Sequence, residues 1–197
     1  MTEFYIMVLC YNLGSIPTAF ILVRQLKGID IREVGSGNVG ASNAGRVLGK
    51  LGFITVLLID TLKGFIPVFL LMHWYGESDY VLLGAIAVIF GHTFTIFLNF
   101  KGGKGVATGL GVFIALAPLS TLIAAGVFVL LIIPFRMISL SSMAAAVTIG
   151  ISNWFLYDWM NLKYFTIMIV ILIINLHRSN ITRIMNGTEN KVGKKSA

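Results

Sequence analysis

The chain has 197 residues, of which 57% are hydrophobic and only 12% are charged, and its mean hydropathy is +0.89. A soluble domain is about 25% charged, and surface-to-volume scaling prevents a chain of this length from hiding so much apolar surface. The composition therefore indicates a membrane protein and argues against a soluble enzyme, a disordered chain and a disulfide-rich secreted domain. The net charge of +7 has two interpretations. The first is that basic residues orient the chain in a bilayer, and the second is that they bind an anionic substrate.

Cysteine and histidine are scarce in this sequence. The single cysteine, Cys10, lies in an apolar run, so an intrachain disulfide is excluded. Three histidines and one cysteine also argue against a dedicated structural zinc site. We therefore expect neither a metal nor another cofactor.

Seven apolar segments follow one another along the chain, and we predict an all-α, polytopic bundle of about seven transmembrane helices. A span needs about 20 mostly apolar residues. The segments are 4–23, 51–73, 80–97, 106–117, 119–134, 138–157 and 164–176. The fourth and fifth are divided at Pro118, because proline interrupts helices. The alternative is five crossings, with 106–135 as one long helix and a later segment re-entrant.

The distribution of charge predicts the orientation. With the N-terminus outside, every one of the 15 basic residues except Lys63 and Lys163 falls in an inner loop or the C-terminal tail. The outer loops hold acidic residues, namely Glu3, Glu77, Asp79 and Asp158. This bias matches the positive-inside rule. It predicts one transmembrane domain over 1–197, with an external N-terminus and a cytoplasmic C-terminus.

Three polar segments, 35–46, 99–108 and 177–191, fall on the cytoplasmic face in this topology. The first combines three glycines, two serines and two asparagines between Ser36 and Arg46. Such a run is poor helix material, and its small side chains let backbone N–H groups approach a ligand closely. The alternative is a flexible inter-helix loop, although a linker seldom needs Arg46 at the mouth of the next span.

The second segment contains Asn99-Phe-Lys-Gly-Gly-Lys-Gly105. Successive glycine amides beside two lysines can form an anion-binding nest at the start of a helix. A Walker A loop needs Gly-Lys followed by Ser or Thr, whereas Gly105 follows Lys104 here. The pattern therefore predicts binding of a phosphate without nucleotide hydrolysis, and a basic membrane-surface loop is the alternative.

The third segment holds His177-Arg-Ser-Asn180, then Thr182-Arg183 and the residues 187–191. A lone His-Arg pair beside a membrane is usually an interfacial anchor. Convergence of three such segments on one leaflet instead predicts a concave site for a multiply charged anion. The cationic side chains expected there are Arg46, Lys101, Lys104, Arg178 and Arg183.

Polar residues also lie within the predicted spans. Asp60 and Lys63 are three residues apart, on one face of the second span. Charges at that depth are costly and mark candidate functional residues, but we favour a structural ion pair. Ser142 opens the sixth span with Ser139 and Ser141, where the helix N-terminus offers donors to an anion or is simply capped.

The three polar segments together resemble the three cytoplasmic motifs of the bacterial acyl-phosphate:glycerol-3-phosphate acyltransferase family. The residues that carry the resemblance are Gly35-Ser-Gly-Asn-Val-Gly-Ala-Ser-Asn-Ala-Gly-Arg46, Gly91-His-Thr93, Phe100-Lys-Gly-Gly-Lys-Gly-Val-Ala-Thr108, His177-Arg-Ser-Asn180 and Gly187-Thr-Glu189. Asp60-Thr-Leu-Lys-Gly64 is also similar to the family. The resemblance spans nearly the whole chain.

The resemblance implies transfer of a fatty acyl group from acyl phosphate to the 1-hydroxyl of glycerol 3-phosphate. The products are lysophosphatidic acid and phosphate, in bacterial phospholipid synthesis, with neither acyl-CoA nor acyl carrier protein as the direct donor. The resemblance also implies a seven-helix bundle in the inner (cytoplasmic) membrane, with the active site facing the cytoplasm. Besides the two substrates and the lipid bilayer, we expect no nucleic acid and no obligate protein partner.

Site residues follow from the same resemblance. It implies functional roles for Ser36, Arg46, Lys104, His177 and Asn180, and a structural role for Glu189. We expect Ser142 of the sixth span and further residues of the polar segments to bind the substrate phosphates, the latter being Gly37, Asn38, Asn43, Lys101, Gly102, Gly103, Gly105 and Arg178.

For the mechanism we expect direct attack of the glycerol 3-phosphate hydroxyl on the acyl carbonyl, without an acyl-enzyme. His177 is the neutral-pH general-base candidate within the polar motifs, besides the more distant His92, and a substrate phosphate is the alternative proton acceptor. No Ser-His-Asp arrangement is evident, which argues against Ser36 as a covalent nucleophile. No histidine is followed five residues later by an aspartate, which excludes an acyltransferase with the His-x-x-x-x-Asp signature. A small-anion or phosphate-ester transporter is the alternative function, although its sites would be expected in repeated halves at the bilayer midplane.

Overall fold

The computed structural model describes residues 1–193, and every regular element among them is helical. The α-helices in chain order are α1 (Thr2–Ser15), α2 (Thr18–Lys27), α3 (Ala41–Tyr75), α4 (Asp79–Thr93), α5 (Val106–Leu116), α6 (Pro118–Phe135), α7 (Ile138–Leu156), α8 (Met160–Leu176) and α9 (Arg178–Met185). Short 3-10 helices at Ile31–Glu33 and Ile96–Leu98 lie in the connections. The predicted all-α fold class is confirmed. Lys194 and Lys195, which the topology assigned to the inner side, lie outside the described residues.

Within residues 1–193, five helical segments are long and apolar enough to cross a bilayer. They are Thr2–Lys27, Ala41–Tyr75, Asp79–Leu98, Pro118–Phe135 and Ile138–Leu156. The helices α8 and α9, bent by 56°, provide a sixth if the pair is one span. Helix α5 has 11 residues, and at about 1.5 Å per residue it is too short to cross the hydrocarbon core alone. The polytopic membrane bundle is confirmed, whereas seven crossings and the orientation stay predictions.

The first span is broken at Pro17. A single helix was predicted over 4–23, but α1 ends at Ser15 and α2 begins at Thr18. Proline has no N–H to donate to the preceding turn, so the helical ladder stops there. At the break the Ile16 carbonyl accepts from the Thr18 amide at 3.0 Å and from the Lys63 ammonium of α3 at 2.8 Å. A side chain from the second span therefore adds a hydrogen bond at the break.

Helix α3 begins well before the predicted start of the second span at Leu51. Residues 41–46, predicted as loop, are helical, and Gly49 with φ 75° and ψ −166° separates this short helical segment from the span. Burial explains the difference, because Asn43 and Ala44 are fully buried and tertiary packing overrides weak helix propensity. Residues 178–185, placed in the third predicted loop, are likewise helical, whereas α5 begins at Val106, where the fourth apolar segment was predicted to begin.

The long apolar stretch after Lys104 divides where the sequence predicted. Helix α5 ends at Leu116, and α6 begins with Pro118 at its first position. Ala117 between them takes the non-helical angles φ −147° and ψ 65°. Proline is well accommodated at a helix start, because its missing N–H has no helical acceptor there.

The chain forms two compact units, the first over residues 1–116 and the second beginning at Ala117. In the first unit, α3 packs against α5 and α1 packs against α4. In the second unit, α7 packs against both α6 and α8. One transmembrane domain over 1–197 stays a prediction.

Glycines set the close approach of α3 and α5 in the first unit. A Cβ on Gly111 would overlap the Thr61 carbonyl oxygen and lie 2.7 Å from the Phe65 nitrogen, and one on Gly64 would overlap the Thr108 carbonyl oxygen. Small residues at such contacts let two membrane helices approach at backbone distance. The α3–α5 contact therefore depends on the absence of side chains at these positions.

We expect Gly111→Ala to lower the thermal unfolding temperature of the detergent-solubilised protein, because the α3 backbone stands where the methyl group would go. Gly109→Ala is the matched control on the same helix, since a Cβ there meets no atom within 4 Å. Alanine favours a helix over glycine by about 1 kcal/mol, so this control should keep or raise the unfolding temperature. Equal changes in the two variants would contradict the packing.

Candidate active site

Asn43 organises the first polar segment. Its Oδ1 accepts a hydrogen bond from the Ser36 amide at 2.9 Å, and its Nδ2 donates to the carbonyls of Ile31 and Val34 at 3.0 and 2.9 Å. The side chain is fully buried, and all these bonds go to loop backbone. Asn43 was predicted to bind phosphate; in the structure it instead holds the loop that carries Ser36.

Arg46 lies beside the loop that carries Ser36. The Arg46 side chain passes beside the loop, with its Cδ 3.6 Å from the position of a Cβ on Gly35. Ser36 follows Gly35 directly, and Asn43, which holds the Ser36 amide, precedes Arg46 by one helical turn. Both Ser36 and Arg46 are exposed, and their joint action on one anion stays a prediction.

Gly37 and Asn38, predicted to bind phosphate, lie in the turn that follows Ser36. The Gly37 amide donates to the Val34 carbonyl at 3.1 Å, and Gly37 has the left-handed φ of 69° that suits glycine. Asn38 is half-buried. These two residues shape the loop beside Ser36, and their predicted contact with substrate stays a prediction.

The residues 102–105, here called the glycine loop, cap the end of α4. The Gly102 amide donates to the Thr93 carbonyl at 2.9 Å, and the Gly103 amide donates to the His92 carbonyl at 3.1 Å. The last carbonyls of a helix lack helical partners, and these bonds supply them. The sequence predicted that both amides face an anion; the structure differs, because both donate within the protein.

Close packing explains why glycines occupy this loop. A Cβ on Gly102 would overlap the His92 carbonyl oxygen. A Cβ on Gly103 would overlap His92 Nε2 and would lie 2.9 Å from the Val39 carbonyl oxygen. Since Val39 belongs to the first polar segment, the first two polar segments lie against each other at Gly103.

Lys104 and Gly105 lead into α5. Lys104 is half-buried, and Gly105, with φ 77°, accepts a hydrogen bond from the Gly109 amide at 2.7 Å. Peptide dipoles at a helix N-terminus favour negative charge. The cationic Lys104 beside the α5 N-terminus can therefore hold a phosphate. Lys101 is exposed and is placed to attract anions.

One apolar cluster supports both segments of the first unit. Val39 and Ala44, from the first segment, pack with Leu98, which precedes the glycine loop. Ala19 and Val23 of α2 belong to the same buried cluster. The positions of Ser36 and Lys104 therefore depend on a shared core rather than on independent flexible loops.

The predicted ion pair between Asp60 and Lys63 is present, with Lys63 Nζ 2.8 Å from Asp60 Oδ1. The Thr18 hydroxyl donates to the same oxygen at 2.9 Å. Both charged side chains are buried, with 2% of Asp60 and 8% of Lys63 exposed. Because Lys63 also bonds the Ile16 carbonyl, the pair joins α3 to the break between α1 and α2.

Glu189 is the centre of a polar cluster in the second unit. Its Oε1 accepts hydrogen bonds from the Ser139 hydroxyl at 2.7 Å and the Asn180 amide at 2.6 Å. Its Oε2 accepts from Arg183 Nε at 2.8 Å. The carboxylate thus ties the start of α7 to α9, which agrees with the structural role that the resemblance implies.

His177 lies at the bend between α8 and α9 and is buried. Its Nδ1 is 2.8 Å from the Ile173 carbonyl oxygen. Since a carbonyl can only accept, Nδ1 carries the proton, and in the neutral ring Nε2 carries the lone pair. The fold therefore fixes the tautomer of the candidate base.

The other predicted residues of the second unit differ in exposure. Ser142, in the second turn of α7, is 4% exposed, whereas Arg178 is exposed at the start of α9. The convergence of the third segment with the first two stays a prediction.

The sequence did not predict three contacts that the structure shows. Thr18 bonds Asp60, Ser139 bonds Glu189, and His92 packs against Gly103. Thr18 and Ser139 reach partners far along the chain, at Asp60 and Glu189, so no local spacing reveals them. His92 was named only as a more distant base candidate, although an ionisable side chain in an apolar span marks a candidate functional residue in its own right.

Comparison with known proteins identifies relatives along nearly the whole chain. The sequence model of the family described as glycerol-3-phosphate acyltransferase matches residues 4–187. Proteins named glycerol-3-phosphate acyltransferase from Endomicrobium trichonymphae and Fusobacterium nucleatum are 44% and 42% identical to this chain. The alignments cover 94% and 97% of this chain, and 93% and 98% of the two relatives.

Solved structures give the same result. The chain resembles PlsY (YgiH), described as an integral membrane glycerol 3-phosphate acyltransferase, in its glycerol 3-phosphate form, with a TM-score of 0.94 and 37% identity. The lysophosphatidic acid form of PlsY gives a TM-score of 0.91 at 36% identity. In both cases 98% of this chain and 96% of the other are covered.

The bonds of Asn43 predict a large effect of Asn43→Asp. The substitution keeps the acceptor for the Ser36 amide but turns a carboxylate oxygen toward the Ile31 and Val34 carbonyls. Leaving such buried groups unpaired costs about 1–3 kcal/mol each, so we expect a lower unfolding temperature and a lower kcat/KM. Asn186→Asp, at an exposed position, is the control. Wild-type activity and stability in Asn43→Asp would contradict this role.

The Glu189 cluster predicts a stability that depends on pH. Burial raises the pKa of Glu189, but hydrogen bonds from Ser139, Asn180 and Arg183 outweigh it and hold the pKa below its ordinary 4.5. A carboxylate with a lowered folded-state pKa stabilises the fold above the unfolded-state pKa, and this contribution is lost as the pH falls through the folded-state pKa.

We therefore expect the difference in unfolding free energy between wild type and Glu189→Gln to be constant well above pH 4.5 and to shrink on acidification. Denaturant unfolding in detergent across the acidic range measures it. Glu77→Gln, at an exposed carboxylate, controls for the change in net charge. A pH-independent difference for Glu189→Gln would contradict the assignment.

Proposed function

Because the chain belongs to the glycerol-3-phosphate acyltransferase family, we propose that it transfers a fatty acyl group from acyl phosphate to the 1-hydroxyl of glycerol 3-phosphate. The products are lysophosphatidic acid and phosphate, in phospholipid synthesis. The match of the family over residues 4–187 is the observation that carries the proposal, and relatives are known in glycerol 3-phosphate and lysophosphatidic acid forms. The protein acts in the cytoplasmic membrane, with its polar segments facing the cytoplasm.

The first unit supplies cationic groups for two anionic substrates. Acyl phosphate and glycerol 3-phosphate repel each other, so positioning and charge neutralisation form a large part of the catalytic task. Lys104 beside the α5 N-terminus and Arg46 beside Ser36 hold phosphate groups. Ser36 orients a substrate oxygen by hydrogen bonding, since its amide is fixed by Asn43.

His177 accepts the proton of the attacking hydroxyl at Nε2. The fixed bond from Nδ1 to the Ile173 carbonyl supports this role, because it presents the basic nitrogen in the neutral ring. The hydroxyl oxygen forms a bond to the acyl carbon, the carbon–oxygen bond to phosphate breaks, and phosphate leaves with the electron pair. Asn180, held by Glu189, orients groups in the same reaction.

We expect His177→Ala to lower kcat by about 10²- to 10⁴-fold, the usual contribution of a general base, with KM values near those of wild type. His73→Ala, at an exposed histidine near the end of α3, is the matched control. Steady-state kinetics with both substrates varied measures the split. A mainly raised KM would contradict the base and assign His177 to binding, with a substrate phosphate as proton acceptor.

The activity itself is tested with the full chain purified in detergent and given acyl phosphate and labelled glycerol 3-phosphate. We expect labelled lysophosphatidic acid without sealed vesicles. Uptake of label by sealed proteoliposomes, with no product in detergent, would overturn the proposal in favour of transport. Acyl-CoA in place of acyl phosphate tests the donor, and we expect it to give no product.

A further inference from the structure

His92 is a buried histidine to which the mechanism gives no role. It lies in the last turn of α4, and 6% of it is exposed. Histidine at such a position is expensive to bury without polar contacts. Its two ring nitrogens lie near different parts of the first unit, Nδ1 near the Asp60–Lys63 pair and Nε2 near the glycine loop.

The Nδ1 edge of the His92 ring lies near Asp60. His92 Nδ1 lies 3.9 Å from Asp60 Oδ1, too far for a direct hydrogen bond but close enough for the charge to orient the ring. Asp60 is itself held by Lys63 and Thr18 at 2.8 and 2.9 Å. The carboxylate therefore offers a fixed reference in α3, tied through Lys63 to Ile16.

The Nε2 edge of the His92 ring lies against the glycine loop. The backbone carbonyl of His92 accepts from the Gly103 amide at 3.1 Å, and the ring fills the space that a Gly103 side chain would occupy, because a Cβ there would overlap Nε2. Gly103 has the Val39 carbonyl oxygen as a further close neighbour. The glycine is thus held between the ring and the first polar segment.

We propose that His92 is a positioning residue, whose ring, oriented by Asp60, fixes Gly103 and thereby places Lys104 for the phosphate of glycerol 3-phosphate. The inference rests on the proposed function. Two adjacent glycines have no side chains of their own to fix a loop, so a neighbour must do so. Lys104 follows Gly103 directly, and a displacement of about 1 Å at a binding group can cost about 10²-fold in rate.

Four variants of the full-length protein in detergent test this arrangement: His92→Ala, His92→Phe, Gly103→Ala and the double variant His92→Ala/Gly103→Ala. We expect His92→Ala to raise the KM for glycerol 3-phosphate about 10- to 100-fold, with a smaller change in kcat and in the KM for acyl phosphate. His92→Phe, which keeps a ring but not Nδ1, should fall between wild type and His92→Ala. His73→Ala should match wild type.

The double variant tests the contact itself. Gly103→Ala places a methyl group against the ring, and His92→Ala removes the ring. The loss of activity in the double variant should therefore be smaller than the sum of the losses in the two single variants. We expect the KM for glycerol 3-phosphate in the double variant to be lower than in Gly103→Ala alone. Additive losses would overturn the ring–glycine contact, since independent sites add.

A second measurement does not depend on turnover. Hydrogen–deuterium exchange of peptides over residues 99–105 reports the Gly102 and Gly103 amides, which should exchange faster in His92→Ala than in wild type or His73→Ala. Unchanged exchange would overturn the proposal, and so would faster exchange with unchanged KM, which indicates a structural role only. A wild-type protein that makes no product refutes the proposed function, while the exchange result still decides whether His92 holds the loop.

Discussion

Backbone carbonyls where a helix breaks inside a membrane protein must find donors, and this requirement shapes the first unit. Water is absent from the hydrocarbon core, so each unpaired group there costs several kcal/mol. At the Pro17 break, the Ile16 carbonyl accepts from the Thr18 amide and from the Lys63 ammonium. At the end of α4, the donors to His92 and Thr93 are the amides of Gly103 and Gly102. The polar features that looked functional in the sequence therefore also complete the backbone of broken helices.

This requirement changes the meaning of the glycine-rich segments. A run such as Gly102-Gly103 suggests amides that face an anion, but both amides cap α4, and the missing side chains allow close packing against His92 and Val39. Asn43 acts in a similar way in the first polar segment, because it bonds loop backbone rather than solvent. The proposed contacts with substrate phosphates therefore rely on the side-chain cations Arg46 and Lys104 rather than on the amides of Gly102 and Gly103.

The sequence predicted the helical segments well, because apolar runs and prolines are local signals. Pro118 divided two helices as expected, whereas Pro17 was passed over inside an apolar run, and burial made residues 41–46 helical against their propensity. The candidate site residues of the polar segments were predicted from composition and resemblance. Their partners were not, since Thr18 meets Asp60 and Ser139 meets Glu189 across long sequence separations, and local spacing carries no information on such contacts.

The most direct test of this account is a high-resolution structure of the protein with glycerol 3-phosphate bound. The account predicts that the substrate phosphate lies within hydrogen-bond distance of Lys104 Nζ, while the Gly102 and Gly103 amides remain bonded to the Thr93 and His92 carbonyls. A phosphate held by those two amides, with the end of α4 left uncapped, would contradict it.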